Sequence, residues 1–91
     1  MNLEQIRKQI DKIDDEILNL ILKRMECSRL IAEIKFDENI PIYDEMREQE
    51  IFEDVRLKSA DNYKYVSPIF LEILNSSKAL QKDIIKNARQ N

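Results

Sequence analysis

The sequence contains neither glycine nor histidine, and these two absences exclude several classes of function. Without glycine, the chain has none of the Gly-rich loops whose backbone comes close enough to bind phosphate groups. Without histidine, it lacks the Ser–His–Asp and Cys–His arrangements of nucleophilic enzymes, and also the commonest metal ligand. Any catalysis must therefore come from arginine, lysine, carboxylate, amide and hydroxyl groups.

Cysteine, basic clusters and long apolar runs are also scarce. Cys27 is the only cysteine, which excludes a disulfide framework and a multi-cysteine metal site, so we expect neither metal nor cofactor. The formal net charge is −3 and no basic cluster stands out, which argues against nucleic acid as a partner. No apolar run reaches transmembrane length, and the amino terminus lacks the layout of a signal peptide. We therefore expect a cytoplasmic protein without a membrane partner.

A heptad pattern of apolar residues runs through the first third of the chain. Its positions alternate in steps of three and four, which is the spacing of a coiled-coil seam. We predict one long helix over about residues 3–35, with Asn2 as its N-cap and Gln5 as the capping-box partner. The seam consists of Leu3, Ile6, Ile10, Ile13, Ile17, Leu20, Arg24, Cys27, Ile31 and Ile34.

Two shorter helices complete a predicted all-α fold of one domain. Asp, Asn and Pro cluster in residues 36–43, which predicts a loop. A second helix is expected over about 44–59, with Asp44 as its N-cap. The dipeptide Ser67-Pro68 is typical of an N-cap followed by the first helical position, so the third helix is predicted over about 68–87.

The predicted first helix is too long for a compact chain of this size. At 1.5 Å per residue it measures about 50 Å, whereas a compact globule of 91 residues is roughly 30 Å across. Its apolar seam continues along the overhang and needs a cover. A second copy of the chain is the simplest cover, so we expect an intertwined homodimer that forms one helical bundle.

Polar residues stand at positions of the first and third helices where apolar ones are expected. Arg24 interrupts the seam, although burying an unpaired guanidinium is costly. Lys35 follows 11 residues later and is rotated from Arg24 by only about 20°, so the two share a face. Ser77 and Gln81 occupy stripe positions of the third helix, four residues apart.

The predicted second helix also carries polar residues on one face. Asp44, Arg47 and Glu48 share a face, because they stand at i, i+3 and i+4. Each anomaly has an ordinary explanation: a register-setting arginine, a cation near a helix end, a small core serine, a buried amide or a solvated helix start. Their coincidence on three helices favours a polar pocket inside the bundle. Several cations with a carboxylate and an amide indicate a small polycarboxylate ligand.

The sequence resembles the all-helical class of chorismate mutases over essentially its whole length. The matching stretches are IRKQIDKIDDEIL, the KRM segment holding Arg24, DEMREQEI and the final SSKALQK, with Lys35 nine residues before Asp44. The resemblance implies an intertwined dimer that rearranges chorismate to prephenate in aromatic amino-acid biosynthesis, without a cofactor.

The resemblance also implies a role for each polar residue. Arg24 resembles a carboxylate clamp, and Lys35 a donor to a carboxylate and to the ether oxygen of the breaking bond. Gln81 matches the second donor to that oxygen. Glu48 matches the residue that binds the ring hydroxyl, helped by the backbone near Asp44.

Three further residues complete the implied site. Arg47 matches an arginine that holds the substrate, and Ser77 a residue near the ring carboxylate. Arg7 matches an arginine that enters the pocket from the other subunit. Helix geometry agrees on this last point, because Arg7 lies 17 residues from Arg24, about 25 Å along the axis.

Two alternatives to this reading stay open. A sister activity on the same scaffold, such as isochorismate pyruvate lyase or aminochorismate mutase, uses similar arginines and a similar lysine. Arg47 with Glu48 favours the ordinary mutase. The other alternative is a non-catalytic helical dimer whose polar seam residues only fix the register of its helices.

Overall fold

The computed structural model describes residues 1–90 and consists of helices. Helix α1 spans Leu3–Glu38, α2 spans Glu45–Ser59 and α3 spans Tyr63–Gln90, and a 3₁₀ turn at Ala60–Asn62 joins the last two. No strand occurs in the described part of the chain, so the predicted all-α fold is confirmed. None of these helices combines the length and apolar character that a membrane crossing requires.

Helix α1 begins at the predicted capping box. The Gln5 backbone N–H donates to Asn2 Oδ1 at 2.9 Å, and the Asn2 N–H donates to Gln5 Oε1 at 3.0 Å. The helix continues to Glu38, three residues beyond its predicted end. It ends there because Asn39 adopts a left-handed conformation (φ 57°, ψ 43°) and its N–H bonds to carbonyls of the last turn.

Helix α2 begins where its N-cap predicts. The Arg47 N–H donates to the Asp44 carboxylate at 3.0 Å, which satisfies one of the free amides of the first turn. Helix α3, in contrast, begins earlier than predicted. It starts at Tyr63, so Ser67 is not its cap and Pro68 lies inside its second turn. Proline is tolerated there because only one carbonyl near the helix start, that of Lys64, loses its amide partner.

Helix α3 packs against both other helices and contributes half of the buried apolar residues of the small core. Leu74 and Ile85 of α3 are buried together with Val55 of α2 and Ala32 of α1. On α1 the buried positions are the small residues Ser28 and Ala32, which stand four residues apart. Small side chains at this spacing let the α1 and α3 backbones approach closely.

The amino-terminal half of α1 projects beyond the rest of the chain. Every residue from 1 to 20 is exposed, including the seam residues Ile6, Ile10, Ile13 and Ile17. The molecule measures 55 × 28 × 14 Å and has a radius of gyration of 16.6 Å, against about 12 Å for a compact chain of this length. A single copy therefore leaves a long apolar stripe uncovered.

Candidate active site

A cavity of about 410 Å³ lies where the three helices meet. Helix α1 forms one wall, the start of α2 a second and the middle of α3 a third. The cavity brings together seven of the eight site residues predicted from the sequence, namely Arg24, Lys35, Asp44, Arg47, Glu48, Ser77 and Gln81.

Arg7 is the predicted site residue that lies outside the cavity. It is exposed on the projecting half of α1, about 25 Å along the helix axis from Arg24. Within one chain the two guanidinium groups cannot contact the same small ligand.

Two half-buried cations of α1 face the cavity. Lys35 Nζ donates to the carbonyl oxygen of Ile42 at 2.6 Å, which ties the ammonium group to the loop before α2. An ammonium group has three N–H donors, so two remain for a ligand. Arg24 forms no ion pair with any described residue. A half-buried guanidinium without a carboxylate is the arrangement expected of a site that binds an anion.

Arg47, the arginine of α2 that lines the cavity, forms an ion pair but remains available to a ligand. Arg47 Nη1 lies 3.1 Å from Glu50 Oε2, and both side chains are 64% exposed. Exposed ion pairs three or four residues apart on a helix contribute only about 0.2–0.5 kcal/mol. An anion in the cavity therefore competes easily for the Arg47 guanidinium.

A chain of hydrogen bonds links α1 to the amide of α3. Ser28 Oγ lies 2.6 Å from Ser77 Oγ, and Gln81 Nε2 donates to Ser77 Oγ at 3.3 Å. Ser28 and Gln81 are both buried, and Gln81 Oε1 has no partner among the described residues. When Ser28 donates to Ser77, the Ser77 hydroxyl can donate to the Gln81 carbonyl, and rotation of the amide then turns its NH₂ group toward the cavity.

Two polar side chains of this cavity, those of Ser28 and Lys78, were not predicted from the sequence. Ser28 stands four positions after Arg24 on the face of α1 that contacts α3, so its spacing from Arg24 was the available signal. Lys78 stands between Leu74 and Gln81 at steps of four and three, which is the same signal that singled out Gln81.

Lys78 joins α3 to α2 by an ion pair at the cavity wall. Its Nζ lies 2.9 Å from Glu48 Oε2, and the two side chains are only 26% and 21% exposed. The same Nζ lies 5.2 Å from the centroid of the Tyr43 ring. With Lys78 included, the cavity wall carries four cationic side chains and two carboxylates, and hence a net charge of two positive.

The chemical groups of the cavity suit a small organic dianion. Guanidinium groups bind carboxylates through two parallel hydrogen bonds, while an ammonium and an amide offer single donors. Among residues 1–90, no three carboxylate or cysteine side chains are grouped as metal ligands. Fold and site thus define an all-helical protein with a cavity whose chemical groups suit a dicarboxylate.

The chain belongs to the chorismate mutase type II family, whose sequence profile matches residues 6–82. The resemblance described from the sequence is thereby confirmed. No solved structure matches the chain.

Several proteins of known name are similar to this chain. A chorismate mutase of Methanocaldococcus jannaschii is 36% identical over 90 residues, which cover 96% of this chain and 91% of that protein. A bifunctional chorismate mutase/prephenate dehydratase of Aquifex aeolicus is 39% identical over 88 residues, or 90% of this chain and 24% of that protein. A 3-dehydroquinate dehydratase of Pyrobaculum aerophilum is 32% identical over 79 residues, or 87% of this chain and 24% of that protein. The chain thus spans about a quarter of the length of the latter two relatives.

Proposed function

We propose that this chain is a chorismate mutase, an isomerase that converts chorismate to prephenate in the cytoplasm as a step of aromatic amino-acid biosynthesis. The observation that carries the proposal is the cavity with a net charge of two positive, where three helices contribute seven residues predicted from the sequence. Chorismate carries two carboxylates, so its charge complements that of the cavity. Membership of the family supports the same reaction.

The reaction is an intramolecular rearrangement in which one carbon–oxygen bond breaks as one carbon–carbon bond forms. No proton transfer, metal or nucleophile is required. The enzyme has to hold the enolpyruvyl arm over the ring and to stabilise the charge that develops on the ether oxygen. The groups available in this cavity can perform both tasks.

The cations and the amide divide these tasks in the proposed mechanism. Arg24 clamps a carboxylate with two parallel hydrogen bonds, and Arg47 leaves Glu50 to hold the substrate as well. Lys35, already held by the Ile42 carbonyl at 2.6 Å, directs a free N–H toward the ether oxygen. Gln81 donates to the same oxygen once its amide has turned its NH₂ group to the cavity.

The remaining residues orient the ring. Glu48 accepts a hydrogen bond from the ring hydroxyl, and the backbone at Asp44 donates a second contact to this hydroxyl. Ser77 lies next to the ring carboxylate. Together these contacts favour the one conformer in which the two reacting carbons face each other.

The proposal includes a homodimer in which Arg7 completes the site of the partner. Residues 1–20 are exposed and carry an apolar seam, which a second copy would cover. An antiparallel or crossed pairing of two long helices brings the amino-terminal half of one α1 alongside the other chain. Arg7 flanks the seam and would there meet the substrate held by Arg24.

The test is an assay of purified protein with chorismate, in which products are separated by chromatography. We expect prephenate from the wild type and a loss of at least about 100-fold in kcat/KM for Arg24→Ala, the cost of removing one charged donor. Arg29→Ala is the matched control, because Arg29 lies on the same helix and its side chain is paired with Glu26 outside the cavity.

The other possible products separate the alternatives. Free pyruvate in place of prephenate would identify a lyase, and isochorismate would then be the substrate to assay. If the protein is a folded dimer that transforms neither compound, the remaining alternative is a non-catalytic scaffold. Arg24→Leu is then expected to stabilise the dimer. The proposed function would then be wrong.

A further inference from the structure

Lys78 is a cavity residue to which the mechanism above gives no role. We propose that Lys78 is a positioning residue that holds the Glu48 carboxylate in the cavity and thereby sets the affinity for the hydroxyl-bearing ring of the substrate. This inference rests on the proposed function.

The ion pair between Lys78 and Glu48 differs from the others in this protein. Every other ion pair of residues 1–90 joins two side chains three or four positions apart on one helix. The Lys78–Glu48 pair spans 2.9 Å between α3 and α2, with both side chains largely shielded from solvent. Shielded pairs are screened little by salt and depend strongly on geometry. This pair therefore fixes the position of both groups, whereas the surface pairs do not.

Lys78 stands at a position of α3 where a charged side chain needs a partner. Its neighbours on the same stripe, Leu74 and Gln81, are buried, and an apolar residue at position 78 would extend the core. A lysine there loses hydration that only a partner can replace. Glu48 is that partner, and the ring of Tyr43, 5.2 Å from Nζ, adds a cation–π contact that fixes the ammonium group from another side.

The geometry leaves the carboxylate free for its proposed task. A carboxylate has two oxygens and about four acceptor positions. Lys78 occupies Oε2 of Glu48, so Oε1 remains available to accept a hydrogen bond from a hydroxyl group. The positive charge of Lys78 also offsets the repulsion between Glu48 and an incoming dianion.

The contact with the ring hydroxyl exists in the bound substrate and in the transition state alike. An interaction of this kind contributes uniform binding, so its loss raises KM and leaves kcat nearly unchanged. This pattern distinguishes Lys78 from Lys35 and Gln81, which act on charge that develops only in the transition state.

The experiment measures kcat and KM with chorismate for the wild type, Lys78→Met, Glu48→Gln and the double variant. Methionine keeps the apolar stem of lysine and removes the charge. We expect Lys78→Met to raise KM about 10-fold, as when a hydrogen bond to a charged group is weakened, with kcat changed by less than about 3-fold. In the Glu48→Gln background the same substitution should change KM by less than about 2-fold, because Lys78 acts through Glu48.

Lys82→Met is the matched control, since Lys82 is exposed one turn further along α3 and lies outside this cavity. It should leave KM unchanged. An unchanged KM in Lys78→Met, losses that multiply in the double variant, or an equal rise in Lys82→Met would each overturn the proposed role of Lys78. A wild type that forms no prephenate would overturn the proposed function together with this inference.

Discussion

At the residue scale, Gln81 is both buried and incompletely hydrogen-bonded. Its Nε2 donates to Ser77 at 3.3 Å, while its Oε1 has no hydrogen-bond partner among residues 1–90. A buried polar atom without a partner costs about 1–3 kcal/mol. A leucine at this position would avoid that cost and extend the stripe of Leu74 and Ile85. The amide is therefore unfavourable for stability, which is consistent with the role in the reaction that we propose for Gln81.

We expect Gln81→Leu to raise stability and to abolish most of the activity. The apolar side chain should increase the melting temperature, measured at fixed dimer concentration by circular dichroism. At the same time, loss of a donor to the ether oxygen should lower kcat by about 100- to 1,000-fold. Gln49→Leu, on the exposed surface of α2, is the control and should change neither quantity much. A variant that is less stable but fully active would contradict the assignment.

Ser28 and Lys78 line the cavity but were not predicted, because the pattern of a single helix does not determine how that helix packs against its neighbours. Arg24 and Gln81 could be predicted because each interrupts an apolar stripe of its own helix. The stripe predicted on α3 contains Ser77, and the structure shows that Lys78 lines the cavity as well. Because α3 packs against two helices, its inward face is broader than one stripe. The spacing of Lys78 from Leu74 and Gln81 is compatible with an inward position, but which side of α3 faces the cavity depends on α1 and α2.

At the element scale, the helix ends were predictable where a side chain closes them. The side chains of Asn2 and Asp44 each cap a helix by accepting a hydrogen bond from the backbone N–H three residues later. Local sequence determines such bonds. The start of α3 was not predictable in this way. Ser67-Pro68 has the composition of a helix start, but the 3₁₀ turn at Ala60–Asn62 already begins the helical path, and Pro68 is accommodated in it. Because of the preceding turn, α3 begins at Tyr63, upstream of the start that Ser67-Pro68 predicts.

The carboxyl end of α1 gives a testable case in a chain without glycine. Asn39 has a positive φ of 57°, a conformation that glycine adopts freely and asparagine tolerates. We expect Asn39→Ala to lower the free energy of unfolding by about 1 kcal/mol, and Asn39→Gly to leave it unchanged or raised. Urea unfolding at fixed protein concentration measures both. An alanine variant as stable as the glycine variant would show that this end of α1 is not held in the left-handed conformation.

At the scale of the whole molecule, the proposed dimer would account both for the exposed half of α1 and for the position of Arg7 outside the cavity. Among residues 1–90 only four apolar residues are buried, and the longest apolar stripe faces solvent. The cavity holds cations from all three helices but not Arg7, which lies on that exposed half. In the proposed dimer, a second copy would cover the stripe and supply the guanidinium of Arg7 through the same contact. Assembly and catalysis are then inseparable in the proposed enzyme.

This link predicts that two inactive variants restore each other. Arg7→Ala and Arg24→Ala each damage both sites of their own homodimers. In a mixed dimer, one site combines the intact Arg24 of one chain with the intact Arg7 of the other. The second site carries both substitutions. After unfolding and refolding of an equal mixture, half of the dimers are mixed and each has one intact site. Activity should then recover to about a quarter of the wild-type value, as expected for a site shared across a two-fold axis.

The control is each variant refolded alone, which should stay near its own low activity. Exchange of subunits is verified independently with a purification tag on one variant and chromatography of the mixed dimer. If mixed dimers form and activity stays at the average of the two variants, Arg7 does not act across the interface. The apolar half of α1 would still require a cover, but the active site would then be complete within one chain.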